Sequence, residues 1–147
     1  MRMSWMRWCS VGILMATLAG CGGPAPDEVL REFAASIVKR DAKTYFHHSH
    51  LDRKSRRSMD ENPEVAQALF EKAIDEDGVS IAKLILASDL KVIGESDFSR
   101  TIRITPKDPK KRKEMADEGF KGFTLKAFNQ DGEWKIKFES IAPIPMR

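Results

Sequence analysis

The sequence predicts an α+β fold, in which N-terminal helices pack on one face of a curved antiparallel β-sheet. Two patterns support this prediction: apolar residues recur with the helical period over most of the first half of the chain, and from residue 99 onward they alternate with polar residues. Such alternation predicts a sheet with one covered face and one wet face. Helices that precede the strands, without alternating with them, are typical of α+β domains.

The composition bounds the class of protein. A chain of 147 residues suggests one domain, and a hydrophobic content of 41% supplies a core. Both cysteines, Cys9 and Cys21, lie in the N-terminal segment, which excludes a disulfide-stapled secreted mini-protein. The net charge of +3 includes Arg2 and Arg7 of that segment, so bulk charge does not argue for a nucleic-acid partner. We expect no nucleic acid and no cofactor.

Residues 1–20 predict an export signal. A positive start is followed by an apolar run, Val11 to Ala19, that is about half as long as a membrane-spanning helix needs to be. The run ends in Leu-Ala-Gly-Cys at residues 18–21, which resembles the lipobox of bacterial lipoproteins. In that family the cysteine is acylated and begins the mature chain, so the resemblance implies a lipid anchor on Cys21. The alternative is an ordinary signal peptide that contains a cysteine.

The residues after Cys21 bear on where the protein lies in the cell envelope. In enteric-type bacteria, an Asp directly after the lipidated cysteine resembles an inner-membrane retention signal. This chain has Gly22 at that position, and the absence of an Asp favours the outer membrane facing the periplasm. Cys21 and the four residues after it form a short linker, residues 21–25. The four residues 22–25 span at most about 14 Å when fully extended. We therefore expect the domain, residues 26–140, to lie close to the bilayer surface.

Helix signals divide the first half of the domain. Residues 26–40 begin with a proline and two acids and carry an apolar stripe every four residues, which predicts the first helix. Asp41 is predicted to cap a second helix that runs to about Leu51. The basic segment 53–59 is predicted to be a loop or frayed turn. Asn62 and Pro63 begin a third helix that ends at Asp77-Gly78.

Strand signals follow. Residues 79–88 are ambiguous between a helix and a buried strand; we favour a helical turn that leads into a strand over 89–95. Apolar and polar residues alternate over 99–105 and 120–129, which predicts two strands. Asp131-Gly132 predicts a two-residue hairpin. Residues 133–139 are predicted to point Trp134, Ile136 and Phe138 inward and Lys135, Lys137 and Glu139 outward. Residues 141–147 are predicted to be an irregular tail.

The order of these elements, with "KRDAKTYF" opening the second helix and "DGEWKIKF" closing the sheet, resembles the nuclear transport factor 2-like, cystatin-like family. In particular it resembles the small lipoproteins of that superfamily. The resemblance implies a cone-shaped sheet that wraps around helices, often encloses a pocket and often dimerises through its outer face. The superfamily contains ketosteroid isomerases, dehydratases and many non-enzymatic members, and fold alone does not choose among them.

Three histidines, His47, His48 and His50, raise the hypothesis of a metal site. His47 and His50 are three residues apart, which would place them on one face of a helix. A zinc site needs three or four ligands, and the mature chain offers no thiolate besides the acylated cysteine. We therefore predict no metal site, with His47 and His50 as the candidates if one exists. A pH-responsive role is an open alternative.

Two basic runs are candidates for contact with anionic headgroups, because a short linker would hold them near a bilayer. The alternative is that both are solvated loops. The residues are Arg53, Lys54, Arg56 and Arg57 in the first run, and Lys110, Lys111, Arg112 and Lys113 in the second.

Candidate catalytic groups are few. An isomerase-type enzyme needs an Asp or Tyr with a tuned pKa in an apolar pocket. Tyr45 is the only tyrosine, Asp41 is predicted to be a cap and Asp89 a strand-edge residue. No Ser-His-Asp spacing, Gly-rich phosphate loop or paired-carboxylate motif occurs.

We therefore predict a lipid-anchored envelope domain that binds a protein or a small apolar ligand, with a homodimer as a further arrangement. The alternative is a small cone-fold enzyme. The cavity should discriminate between them. An open pocket that contains a buried acid or His47 favours chemistry or ligand binding. A closed core favours an interaction module, filled by Phe33, Phe70, Leu125 and Trp134.

Overall fold

The computed structural model describes residues 23–147, which form six helices and one four-stranded antiparallel sheet. The helices are α1 (Pro26–Lys39), α2 (Ala42–His48), α3 (Arg53–Glu61), α4 (Pro63–Ala73), α5 (Glu76–Leu86) and α6 (Pro109–Asp117). The strands are β1 (Ser88–Glu95), β2 (Ser99–Pro106), β3 (Phe120–Gln130) and β4 (Glu133–Pro145). The prediction of an α+β fold is confirmed. The predicted export signal and Cys21 lie outside the described residues.

The first two helices begin as predicted. Helix α1 starts at Pro26, and the backbone turns at Arg40, which has a φ of 60°. Asp41 caps α2, since its Oδ1 accepts a hydrogen bond from the backbone N of Thr44 at 3.1 Å. Helix α2 ends at His48 and does not reach Leu51, because Ser49 forms a bridge with Ile136 and His50 donates its N–H to Ile136 O at 2.9 Å.

The predicted loop at 53–59 is wrong, since these residues lie in α3. Asp52 caps this helix by accepting from the backbone N of Ser55 at 2.9 Å and from its hydroxyl at 2.7 Å. No residue of α3 is buried, so local capping and side-chain pairing support it instead of an apolar face. An apolar period was therefore an insufficient criterion for this segment.

The predicted third helix is two helices. Helix α4 ends where Ile74 takes an extended backbone, and Asp75 caps α5 by accepting from the backbone N of Gly78 at 2.8 Å. Gly78 therefore lies in the first turn of α5 and does not end the preceding helix. Most of residues 79–88 are helical and lead into β1 at Ser88, as favoured from the sequence. The side chain of Asn62 makes no cap hydrogen bond to α4.

Two further predictions are wrong. The second basic run lies in helix α6, between β2 and β3, so the helices do not all precede the strands. Asp108 caps this helix by accepting a hydrogen bond from the backbone N of Lys110 at 2.9 Å. Residues 141–145 continue β4, where Phe123 pairs with Pro143 and Phe120 with Pro145. Prolines are tolerated there because β4 is an edge strand of the sheet.

The sheet is a meander in the order β1-β2-β3-β4. Asp131 and Gly132 join β3 to β4 with φ values of 55° and 85°, and two positive φ values match the tight hairpin predicted for this pair. Because Ser99 pairs with Phe128, the β1–β2 turn and the β3–β4 turn lie at the same end of the sheet. We call this the turn end.

The core lies between the helices and one face of the sheet, the inner face. Phe33, Phe70 and Leu125 are fully buried, as predicted, whereas Trp134 is only partly buried at the edge of the core. Ile102 and Ile104 of β2 and Ile136 of β4 complete the inner face. The opposite face, the outer face, carries the alternating polar residues.

Candidate functional site

A cavity of about 670 Å³ opens at the turn end of the sheet. We call it the hairpin pocket. It lies between α1, the C-terminus of α2 and the β3–β4 hairpin, and Gly23 and Pro24 also line it. Its other lining residues are Val29, Glu32, His47, His48, Asp131, Gly132, Glu133, Trp134 and Lys135. It contains His47, and an open pocket with His47 favours chemistry or ligand binding.

Lys135 was predicted to point outward into solvent, but it is 3% exposed. Ser49, which follows α2, forms a parallel bridge with Ile136 at the edge of β4, next to Lys135. Its Nζ donates to His47 O at 2.6 Å and to Glu133 Oε2 at 2.7 Å. The hydrogen bond from Lys135, and then its charge, hold the pKa of Glu133 below its usual range. Lys135 and Glu133 therefore form an ion pair at the wall of the pocket.

His48 and Glu32 form a second polar pair, which joins α2 to α1. The Nε2 of His48 lies 2.9 Å from Glu32 Oε2, and His48 is 8% exposed. Burial lowers the pKa of His48, His47 lowers it further, and Glu32 opposes the shift. The lowered pKa favours the neutral ring, and the Nε2 position suits a hydrogen bond to the carboxylate.

We expect His48 to make the fold less stable as the pH falls below 6.5, the ordinary pKa of histidine. The folded pKa is lowered, so in this window the unfolded chain takes up a proton that the folded chain resists. Denaturation of the full chain across pH 5 to 8 should show that His48→Gln loses part of this pH dependence. His50→Gln, at an exposed position, is the control. An unchanged profile for His48→Gln would contradict the assignment.

The histidines do not share one helical face as predicted, because α2 ends before His50. The ring of His50 packs on Phe128 with 5.0 Å between centroids, whereas His47 packs on His48 at 4.9 Å. Across residues 23–147, no group of three or more His, Cys, Asp or Glu side chains could hold a metal ion. His47 and His50 are therefore not brought together.

Arg56, one of the predicted headgroup contacts, binds the end of α2 instead. Its Nη1 donates to His47 O at 3.0 Å and to Phe46 O at 3.3 Å. Its Nη2 donates to Ser49 O at 2.7 Å and to Gln130 Oε1 at 3.1 Å. Carbonyls at a helix C-terminus lack partners within the helix, and a cation there also favours the dipole. Arg56 is thus a structural residue that positions the pocket wall.

Most other members of the two basic runs also have partners within the domain. Arg53 lies 3.2 Å from Asp131, Arg57 lies 2.7 Å from Glu61 and Lys111 lies 3.1 Å from Glu114. Arg112 donates to Pro106 O and Lys107 O. Three members of the runs have neither a carboxylate within 4.0 Å nor a side-chain hydrogen bond within the described part of the chain: Lys54, Lys110 and Lys113.

The candidate catalytic groups lie outside the hairpin pocket. The ring of Tyr45 packs against Phe33 and Phe70, and burial, then Glu139, raises the pKa of Tyr45. Hydrogen bonds from Thr44 hold the pKa of Asp41 below its usual range. Asp89 is exposed on β1. Glu32 and Glu133 are pocket residues that the sequence does not predict, because no local pattern joins α1 to a hairpin 100 residues later.

In the range 23–147, no helix is both long and apolar enough to cross a bilayer. Comparison of the chain with protein-family models, with curated proteins and with solved structures gave no match. The resemblance to nuclear transport factor 2-like lipoproteins therefore stays a prediction, and the function has to be argued from the site itself.

Proposed function

We propose that this chain is a binding protein held at a bacterial envelope membrane, on the outer membrane facing the periplasm, by a lipid on Cys21. The observation that carries the proposal is the position of Gly23 and Pro24, which line the hairpin pocket. Two residues span at most about 7 Å, so a lipid on Cys21 would attach beside this pocket. The proposal includes a cone-like sheet, which is supported by the four-stranded meander and by the helices packed on its inner face.

Binding is favoured over catalysis because the polar groups near the pocket are engaged with one another. Lys135 and Glu133 neutralise each other, and His48 is bound to Glu32. Lys135 holds the pKa of Glu133 low, which does not suit a general acid near pH 7.

We expect Cys21→Ser to move the protein from the membrane fraction to the soluble fraction of the producing bacterium. The hydroxyl of serine does not take the thioether-linked lipid, and no described helix would hold the domain in the bilayer. Fractionation followed by immunoblotting measures the change, with Cys9→Ser as the matched control. A Cys21→Ser protein that stays in the membrane fraction would argue against lipid anchoring.

A small amphipathic ligand is the second candidate, because the hairpin pocket combines Trp134 and Val29 with charged groups at its wall. Trp134 is the single tryptophan of residues 23–147. We expect the mature chain to bind anilinonaphthalene sulfonate with energy transfer from Trp134. His47→Phe, which adds bulk at the pocket without a second tryptophan, should weaken binding of the dye several-fold, whereas His50→Phe, outside the pocket, should not. Equal dye fluorescence in all three proteins would exclude the pocket as the site.

A further inference from the structure

The outer face of the sheet carries four basic side chains: Lys91, Arg103, Lys126 and Lys137. The register places all four on this face, because Arg103 pairs with Thr124 and Thr101 pairs with Lys126. The same register places Ile102 and Leu125 on the inner face, where both are fully buried. Four strands span about 14 Å at the usual spacing, so the cations form one compact patch. We call it the basic face.

Like charges stand directly opposite each other in the basic face. Lys91 pairs with Arg103, and Lys126 pairs with Lys137. Directly opposed like charges destabilise a sheet. Of the residues in the range 23–147, none places a carboxylate within 4.0 Å of these four cations, although Lys137 also lies 5.9 Å from the ring centre of Phe128.

Other cations at the borders of this face are neutralised. Lys107 lies 3.8 Å from Asp89, and Lys135 lies 2.7 Å from Glu133. The repulsion is therefore confined to the centre of the face, where an external anion could relieve it. The face does not favour a homodimer through the sheet, since two copies would bring eight cations together.

An exposed aromatic side chain lies at one end of the sheet that carries this face. Phe98, in the β1–β2 turn, is 74% exposed, more than any other large hydrophobic side chain in the described part of the chain. The β1–β2 turn lies at the turn end, where Gly23 and Pro24 also contact the domain. An exposed aromatic tip at the end of a basic sheet face fits a bilayer interface, because the ring can enter the acyl boundary while the cations meet headgroups.

We propose that Phe98 and the basic face form a docking surface for a bilayer that contains anionic phospholipid. The choice of a membrane over another polyanion rests on the proposed lipid anchor, since the chain would leave the bilayer at the turn end. The lipid would hold the domain at the membrane, and Phe98 with the basic face would fix its orientation there.

Binding to vesicles tests this surface. The full chain carrying Cys21→Ser serves as the parent, so no attached lipid contributes and the leader contributes equally to every variant. Removing the patch with Lys91→Gln, Arg103→Gln, Lys126→Gln and Lys137→Gln should weaken binding to mixed phosphatidylcholine and phosphatidylglycerol vesicles at least about tenfold, because each cation near an anionic surface contributes roughly fivefold. Binding to pure phosphatidylcholine vesicles should not change.

A matched control removes four lysines elsewhere, with Lys54→Gln, Lys72→Gln, Lys110→Gln and Lys113→Gln. This variant has the same net charge as the patch variant, and we expect binding close to that of the parent.

Phe98→Ser should weaken binding about tenfold on both kinds of vesicle, because burial of the ring does not depend on lipid charge. Val65→Ser, at an apolar side chain that is 47% exposed on α4, is its control.

Charge reversal separates loss of binding from loss of folding. Lys91→Glu with Lys126→Glu gives Arg103 and Lys137 an opposite charge directly across the sheet, so the melting temperature should rise by about 2–5 °C. The same variant removes the net positive charge of the basic face, as the patch variant does, so it should bind anionic vesicles about as weakly as the patch variant. A protein that is more stable and binds less cannot be explained by unfolding.

Three results would overturn the inference: unchanged vesicle binding by the patch variant, an equal loss in the control variant, or a loss of binding to a single-stranded oligonucleotide with none to vesicles. Failure of Cys21→Ser to leave the membrane fraction would remove the lipid anchor but not these vesicle results. The two proposals therefore fail separately.

Discussion

Phe33→Ala is expected to lower the free energy of unfolding by about 3–5 kcal/mol, the usual cost of deleting a fully buried aromatic side chain. Phe33 is 0% exposed, and its ring lies 5.0 Å from that of Tyr45 and 5.5 Å from that of Phe138. The side chain thus joins α1, α2 and β4, so the cavity would open where three elements meet. Denaturant unfolding followed by circular dichroism measures the change.

Val65→Ala is the control for this prediction, since Val65 is 47% exposed on α4. Its effect should stay within about 0.5 kcal/mol, as for most surface substitutions. Similar losses for Phe33→Ala and Val65→Ala would show that the packing of α1 on the sheet is not what stabilises the domain.

Arg56→Ala is expected to lower the free energy of unfolding by about 2–3 kcal/mol, because hydrogen bonds to a charged group are the stronger ones and Arg56 donates four of them. The guanidinium joins α3, the end of α2 and Gln130 of β3 through four acceptors. Arg56→Lys should retain part of the stability, since an ammonium keeps the charge but lacks the planar fork.

The neighbouring residue supplies the control for Arg56. Arg57 lies on the same helix, is largely exposed and, among residues 23–147, pairs only with Glu61, so Arg57→Ala should cost about 0.5 kcal/mol or less. The same denaturation measurement compares the two positions. Equal effects would mean that Arg56 acts as a surface charge and does not position α2.

Local chemistry explains which elements were predictable. Pro26 begins α1 and Asp41 caps α2 because each acts on its own first turn. Asp131-Gly132 makes the hairpin because the two residues accept positive φ values. Alternation in 99–105 and 120–129 marked the inner face, since Ile102 and Leu125 are fully buried.

The failures have local causes as well. Helices α3 and α6 have few apolar residues, so a search for an apolar period missed them, although Asp52 and Asp108 are recognisable caps. The break between α4 and α5 lies at Ile74, an ordinary apolar residue that gives no stop signal. Pro143 and Pro145 predict an irregular tail, but an edge strand tolerates both prolines.

The sequence by itself determined the α+β class, the first helix, the hairpin and the face of the sheet that is buried, because these depend on residues close together in the chain. Only the tertiary structure decided that Lys135 is buried under α2, that Arg56 binds carbonyls, and that Lys91, Arg103, Lys126 and Lys137 share one face. The basic runs are conspicuous in the sequence yet mostly paired within the domain, whereas the basic face comes from four strands with single cations. Strand register brings those cations together, and register depends on pairing between distant segments that no local pattern reports.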